Sequence, residues 1–140
     1  MVDRATTRGG VFTTLASLYI VLTLAALGRS GYQIATKFSD APLAYLLSAV
    51  AAAVYLVATL ALIASTTRAP HTVRVGRLVA LVALSVEVLG VLGIGTLSLF
   101  RPELFPADTV WSQYGAGYLY IPLVLPFLGL WWLRSSRETP

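Results

Sequence analysis

The stretch that decides the fold is residues 75–100, VGRLVALVALSVEVLGVLGIGTLSLF, in which Arg77 and Glu87 are the charged residues. Its apolar residues follow one another without the alternation of a half-buried strand, and its length favours a helix. A helix of about 20 apolar residues crosses the roughly 30 Å hydrocarbon core of a bilayer. We therefore interpret this stretch as a transmembrane helix that carries a glutamate near its middle.

Three further apolar stretches, at about residues 11–29, 41–64 and 111–133, are also long enough to span a bilayer. We expect residues 30–38 to continue the first helix to the membrane surface. Inside hydrocarbon only helices and closed barrels satisfy the backbone, and continuous apolar runs are typical of helices. The sequence thus predicts an all-α, four-helix transmembrane bundle that forms a single integral membrane domain over residues 1–140.

The first stretch has a second interpretation, because Arg4 and Arg8 precede a short apolar run, as in a secretory signal. The residues that follow it, Leu27-Gly28-Arg29-Ser30, lack the small-x-small pattern of a cleavage site. We expect an uncleaved first span.

Composition excludes several kinds of function. The chain is 57% hydrophobic and 11% charged, whereas about a quarter of a soluble domain is charged. It has no cysteine, which excludes disulfides, thiolate catalysis and sulfur-bound metals, and one histidine, His71. We expect no metal, no cofactor and no nucleic-acid partner, since the basic residues flank apolar spans rather than forming a basic domain.

The basic residues predict the orientation, because short cytoplasmic connections carry an excess of Arg and Lys. Seven basic residues fall on the side of the termini and three on the other, which predicts cytoplasmic N- and C-termini in a multi-pass protein of the cytoplasmic membrane. The first group is Arg4, Arg8, Arg68, Arg74, Arg77, Arg134 and Arg137, and the second is Arg29, Lys37 and Arg101.

Glu87 is the first candidate functional residue. Gly76, Ala80, Ala83 and Gly90 share its helical face, and such small residues let a neighbouring helix approach closely. Glu87 is therefore expected to point at protein rather than lipid. An intramembrane acid is by default a functional candidate, so one interpretation is a proton or cation site. The other is a protonated carboxyl that cross-links helices by a hydrogen bond.

Hydroxyl groups on the other spans are candidate partners of Glu87. The first span offers Ser17, Tyr19 and Thr23, and the second span carries a polar stripe at helical spacing, namely Tyr45, Ser48, Ala52, Tyr55 and Thr59. We select Tyr55, Thr23 and Tyr118 as the residues at compatible depth. They predict either a proton site formed together with Glu87 or ordinary interhelical hydrogen bonds, worth about 0.6 kcal/mol each.

The fourth span is rich in helix-breaking residues. Gly115, Gly117, Pro122 and Pro126 predict a kink between residues 115 and 126. Trp111, at the start of this span, is expected in the aromatic belt at the membrane interface.

The loop between the second and third spans carries Arg68, Arg74 and Arg77. Anionic lipid head groups are the expected partners of these side chains, at about 1 kcal/mol per basic residue.

Two segments carry a resemblance to a known group. Residues 109–118, TVWSQYGAGY, continuing through Pro122, Pro126 and the Gly-Leu-Trp-Trp of residues 129–132, and residues 87–96, EVLGVLGIGT, resemble small uncharacterised four-span integral membrane proteins of high-GC Gram-positive bacteria. The resemblance implies no activity. Small multidrug-resistance transporters also have four spans and an intramembrane glutamate, but theirs lies in the first span and Glu87 lies in the third. The glycine-rich and asparagine motifs of fluoride channels are absent.

Two functions remain open from the sequence. The first is a non-enzymatic structural or accessory subunit of a membrane complex, and the second is an oligomeric proton-coupled transporter of small solutes that uses Glu87. The expected partners are the lipid bilayer and either further copies of the chain or a larger membrane complex. An intramembrane enzyme is disfavoured because the spans lack paired carboxylates and cysteines.

Overall fold

A computed structural model describes residues 4–136, with side chains from Gly9 onward. Within this range every regular element is helical. Three basic residues counted in predicting the orientation have side chains outside the described ones. They are Arg4, Arg8 and Arg137. The four α-helices are α1 (Arg4–Lys37), α2 (Pro42–Ala64), α3 (Pro70–Phe100) and α4 (Ile121–Ser135), and three 3-10 segments are Phe38–Asp40, Pro102–Leu104 and Ser112–Tyr118.

Proline marks the start of three of the helices. Pro42, Pro70 and Pro122 each occupy the first turn, where a missing N–H breaks no helical hydrogen bond. The predicted continuation of the first span is confirmed, since α1 runs to Lys37. The third helix begins at Pro70, before the apolar run that starts at residue 75, so its first turn consists of residues from the polar loop.

Consecutive helices pack against each other, α1 on α2, α2 on α3 and α3 on α4, and α4 also contacts α1. The inward face of α3 is the predicted one, because Gly76, Ala80, Ala83 and Glu87 are all buried. The inward face of α2 is the polar stripe, whose five members are also buried. They are Tyr45, Ser48, Ala52, Tyr55 and Thr59.

The fourth span, predicted as a helix over residues 111–133 with a kink between residues 115 and 126, differs from the structure in its first part. Residues Ser112–Tyr118 form a 3-10 segment, and the α-helix begins only at Ile121, at an angle of 99° to that segment. The fifteen residues of α4 extend about 22 Å, less than a full bilayer core. The break falls inside the predicted kink region, but it is much sharper than a kink.

Backbone conformation explains the break. Gln113 and Tyr114 adopt positive φ angles of 51° and 61°, and Leu119 and Tyr120 adopt 57° and 60°. Each of these left-handed residues costs about 1–2 kcal/mol, so neighbouring contacts must hold the segment. Gly115, at φ 86°, reaches a region that suits glycine, and a side chain there would collide with the ring of Pro122.

Helix α3 supplies the contacts that hold this segment. The hydroxyl of Ser98 accepts the N–H of Gln113 at 2.9 Å, and the hydroxyls of Thr96 and Tyr114 are 2.8 Å apart. A Cβ on Gly95 would lie only 2.5 Å from the ring of Tyr114. Because Gly95 has no side chain, the 3-10 segment Ser112–Tyr118 can approach α3 closely.

Three helical stretches are long and apolar enough to cross a membrane, and the bent pair formed by Ser112–Tyr118 and α4 makes a fourth if it is counted as one span. Large apolar side chains such as Leu24, Leu60 and Leu89 face outward from them. Such an exterior suits a lipid environment, since in water it would be an aggregation surface.

Candidate functional site

Glu87 lies near the middle of α3 and is completely buried among the described residues. Its helix brings it inward because the same face carries alanine and glycine, which let α2 approach closely. The prediction that Glu87 points at protein rather than lipid is therefore confirmed.

Tyr19 of α1 is the hydrogen-bond partner of Glu87. Its hydroxyl donates to Oε2 of the carboxyl at 2.8 Å, and the tyrosine is itself completely buried. This bond joins α1 to α3 across the centre of the bundle. Hydrogen bonds between buried side chains of membrane helices hold specific pairs of helices together.

Thr23, which the sequence analysis selected as a partner, lies one turn along α1 and contacts a different residue. Its hydroxyl is 3.2 Å from the hydroxyl of Thr59 on α2. Because Thr59 donates its single hydroxyl hydrogen to the carbonyl of Tyr55 at 2.7 Å, Thr23 must be the donor in the pair. The pair thus joins α1 to α2 beside the glutamate, not through it.

Tyr55 of α2 lies in the same core and is completely buried. Its ring packs edge-on against Trp111, with centroids 6.3 Å apart and an angle of 86° between the planes. Such edge-to-face pairs are favourable beyond the area they bury. Trp111 is 4% exposed, so the prediction that it belongs to an interfacial belt is wrong.

Gly90 allows Trp111 to enter the core. A Cβ at Gly90 would lie 2.6 Å from the indole ring, so any side chain there would displace the tryptophan. Gly90 follows Glu87 by three residues on α3, which places the indole against the helix next to the glutamate. Trp111 and the 3-10 segment that follows it therefore cover the core on one side.

Three polar atoms of this group make no hydrogen bond of normal geometry within residues 9–136, although the side chains of Trp111 and Tyr55 lie close enough to interact. They are Oε1 of Glu87, Oη of Tyr55 and Nε1 of Trp111, and all are buried. Leaving a buried donor or acceptor unpaired costs about 1–3 kcal/mol. These atoms are chemically complementary, because the indole N–H of Trp111 is a donor, Oε1 of Glu87 is an acceptor and the hydroxyl of Tyr55 can be either. We call Glu87, Tyr19, Tyr55 and Trp111 the core cluster.

Tyr118 lies at the edge of this region and is partly buried. The guanidinium of Arg29 stands 5.7 Å from the centre of its ring, within the range of a cation–π contact. Arg29 also donates to the carbonyl of Asp108 at 3.4 Å. Within residues 9–136 Tyr118 makes no hydrogen bond to Glu87, and it packs against the core only from its edge.

The core cluster lies apart from the main surface cavities. Among the cavities on the described part of the bundle are four of about 340–490 Å³, and Glu87, Tyr19 and Tyr55 line none of these four. The described residues also contain no group of three His, Cys, Asp or Glu side chains that could hold a metal ion.

The three loop arginines do not form one set. Arg68 and Arg74 are exposed, whereas Arg77 is partly buried and bonds to the end of α4. The carbonyl of Leu133 and the hydroxyl of Ser136 both accept hydrogen bonds from its guanidinium, each at 2.5 Å.

Trp111 was not predicted from the sequence as a core residue, and Thr23 was selected as the partner of Glu87 in place of Tyr19. A signal for Trp111 exists in the sequence, since Gly90 shares the inward face of α3 and leaves room for a large ring. Tyr19 and Thr23 lie four residues apart on one face of α1, and the sequence does not say which of the two is level with Glu87.

Comparison with protein-family models found no match, and comparison with curated proteins and with solved structures found none either. The resemblance to four-span proteins of high-GC Gram-positive bacteria therefore stays a prediction. The class that the fold defines is an all-helical protein whose three to four apolar helices are compatible with a multi-pass membrane protein.

Proposed function

We propose that the protein is a small non-enzymatic structural or accessory subunit of a complex in the cytoplasmic membrane. The observation that carries the proposal is the burial of Glu87, which is completely buried and bonded to Tyr19. A transported proton or solute needs a path from water to its site. In this bundle the glutamate instead joins α1 to α3.

In this proposal Glu87 is protonated and fixes the order of the helices. A neutral carboxyl keeps both a donor and an acceptor, and hydrocarbon strongly disfavours an isolated charge. The apolar outer surface of α1 to α3 then remains for lipid and for other membrane subunits.

The test of the subunit role is purification under native conditions. The chain, tagged at one end in its own host and extracted in mild detergent, is expected to elute with one membrane partner at a fixed ratio. Deleting the chain is expected to lower the assembly or abundance of that same partner. A homogeneous oligomer of this chain alone, without a partner at fixed ratio, would contradict the proposal.

The orientation is part of the proposal and has a direct test. Because the chain lacks cysteine, a single cysteine introduced by His71→Cys or Pro106→Cys is a unique label site. The positive-inside bias places residue 71 in the cytoplasm and residue 106 outside. An impermeant thiol reagent applied to intact cells should label the second variant and spare the first, and the reverse pattern would invert the topology.

A second function, an oligomeric proton-coupled transporter of small solutes, is favoured by one observation. The three unpaired polar atoms of Glu87, Tyr55 and Trp111 lie in the core, where a water molecule or a polar group of a solute would satisfy them. This function requires the core cluster to open to water, and proton flux through the purified protein distinguishes it from the subunit role.

A further inference from the structure

The turn that joins the 3-10 segment Ser112–Tyr118 to α4 is both strained and exposed. Leu119 and Tyr120 adopt left-handed conformations, with φ angles of 57° and 60°. Leu119 is 84% exposed, and the side chain of Tyr120 is exposed as well. Residues in such conformations persist only where their surroundings hold them, and they cluster at functional sites. We call residues 117–120 the strained turn.

The position of α4 gives the depth of the strained turn. Leu133, near the end of α4, accepts a hydrogen bond from Arg77 and precedes Arg134, so it marks the arginine-rich end of the bundle. Ile121 lies twelve residues before Leu133, which is about 18 Å along the helix axis. The hydrocarbon core of a bilayer is about 30 Å thick. In a bilayer with the arginines at one boundary, the strained turn therefore lies inside the core.

One backbone group of the strained turn has no partner. The N–H groups of Leu119 and Tyr120 donate to carbonyls of the 3-10 segment, and the carbonyl of Tyr120 accepts two N–H groups of α4. Within residues 9–136 no hydrogen bond reaches the carbonyl of Leu119. Hydrocarbon offers no donor to such a group, so irregular backbone at membrane depth is tolerated only where protein covers it or where it lines a water-filled cavity.

The side chains around the strained turn favour protein over water. Leu119 itself is apolar, and α4 continues the exposed surface with Val124, Phe127 and Trp131, which share one face of the helix. A surface of this composition does not suit the wall of a water-filled cavity. Lipid tails match it but supply no hydrogen-bond donor. A helix of another protein supplies both apolar contacts and a donor from a polar side chain.

Gly117 leaves room for such a helix. It is exposed, and a Cβ at this position would meet no atom within 4 Å. Small residues let the backbone of a neighbouring membrane helix approach closely. A two-fold contact between copies of this chain would instead place one strained turn against another, because such an interface uses the same surface on both sides. Neither turn would then be covered by a regular helix.

We propose that the strained turn and the outward face of α4 bind one transmembrane helix of another membrane subunit, which donates a side-chain hydrogen bond to the carbonyl of Leu119. This inference rests on the proposed subunit role and locates its interface. The partner helix carries a Ser, Thr, Asn or Gln side chain at the depth of Leu119, within an otherwise apolar span. The carbonyl thereby gains the donor that the chain itself does not provide.

Cross-linking in native membranes tests this surface. A photoreactive benzophenone amino acid is placed at position 119 or, as the control, at position 89, where Leu89 is exposed on the regular helix α3. We expect position 119 to give an adduct with the subunit that co-purifies at a fixed ratio, through a transmembrane peptide that contains Ser, Thr, Asn or Gln. Position 89 should give at least tenfold less of that adduct.

Four outcomes of the cross-linking would overturn the proposal. They are an adduct with a second copy of the chain, an adduct with lipid alone, equal yields at the two positions, and a cross-linked peptide without a donor side chain. A water-filled cavity has its own signature, because an impermeant thiol reagent would then label Leu119→Cys in intact cells. Such labelling would also overturn the proposal.

Two glycine variants test the contact by a separate route. Gly117→Leu and Gly93→Leu both place a side chain where a Cβ meets no atom within 4 Å, so both should keep the Tm of the wild-type protein. Gly117→Leu is expected to lower the co-purified subunit more than tenfold, and Gly93→Leu to leave it unchanged. Replacing the donor residue of the partner by alanine should lower the co-purified amount about threefold, equivalent to about 0.6 kcal/mol.

The glycine variants also separate this inference from the subunit role. A partner retained equally by Gly117→Leu and Gly93→Leu would overturn the proposed surface and leave the subunit role standing. Absence of any partner at a fixed ratio from the wild-type protein would overturn both.

Discussion

Two polar cross-links lie in the middle of the bundle, and they differ in how fully their atoms are paired. The Thr23–Thr59 link between α1 and α2 uses both hydroxyls, since Thr59 also donates to the carbonyl of Tyr55. The Glu87–Tyr19 link between α1 and α3 pairs one carboxyl oxygen and leaves the other without a partner among residues 9–136. Both lie in the bundle core, and α1 takes part in both.

The difference shows what a carboxyl adds. Hydroxyl pairs suffice to join helices, and such bonds are worth about 0.6 kcal/mol on average. A glutamate adds an ionisable group and an extra acceptor, next to two further unpaired atoms on Tyr55 and Trp111. Any function of the core beyond cohesion therefore belongs to the core cluster and not to the threonine pair.

The largest expected effect comes from displacing Trp111 from the core cluster. Gly90→Leu places a side chain where a Cβ would already lie 2.6 Å from the indole. We expect a loss of about 3 kcal/mol in the free energy of unfolding, at the upper end for overpacking, measured by denaturation in mixed micelles. Gly93→Leu is the matched control, because a Cβ there meets no atom within 4 Å. Equal destabilisation by both variants would show that tryptophan packing is not the cause.

An intermediate effect is expected at Glu87 itself. Glu87→Leu leaves the hydroxyl of Tyr19 buried without its acceptor and should cost about 1–2 kcal/mol of unfolding free energy. Glu87→Gln keeps an acceptor for Tyr19 and should cost less than about 0.5 kcal/mol. The same denaturation assay compares them. If the Gln variant is as unstable as the Leu variant, the protonated cross-link is the wrong description.

The smallest effect is expected at the threonine pair. Thr23→Val keeps the shape of the side chain and removes the hydroxyl, and should cost about 0.6 kcal/mol of unfolding free energy. Thr14→Val, on an exposed part of α1, is the control and should change nothing measurable. A loss at Thr23 larger than that of Glu87→Leu would reverse the ranking of the two cross-links.

Much of the fold was predictable because apolar length and small-residue periodicity are local signals. The run around Glu87 predicted α3, and the spacing of Ala80, Ala83 and Glu87 predicted which face is buried. The polar stripe of α2 was likewise visible. These features depend on one helix at a time, so the sequence carries them directly.

The broken fourth element was not predictable in the same way. Pro122 and Gly115 indicated a disturbance, but the 99° angle depends on contacts from Ser98 and Thr96 of α3. The burial of Trp111 likewise depends on where that segment packs. The choice of Tyr19 over Thr23 depends on the relative height of α1 and α3, which no single helix encodes.

The central claim, that Glu87 joins helices and does not carry protons, is tested most directly by proton flux. The purified protein is reconstituted in liposomes with an internal pH dye, a proton gradient and a potassium–valinomycin potential. The wild-type protein is expected to give the same flux as protein-free liposomes, and Glu87→Gln is expected to match it with an unchanged Tm. A wild-type flux that disappears in Glu87→Gln while Tm stays constant would contradict the claim and establish the transporter.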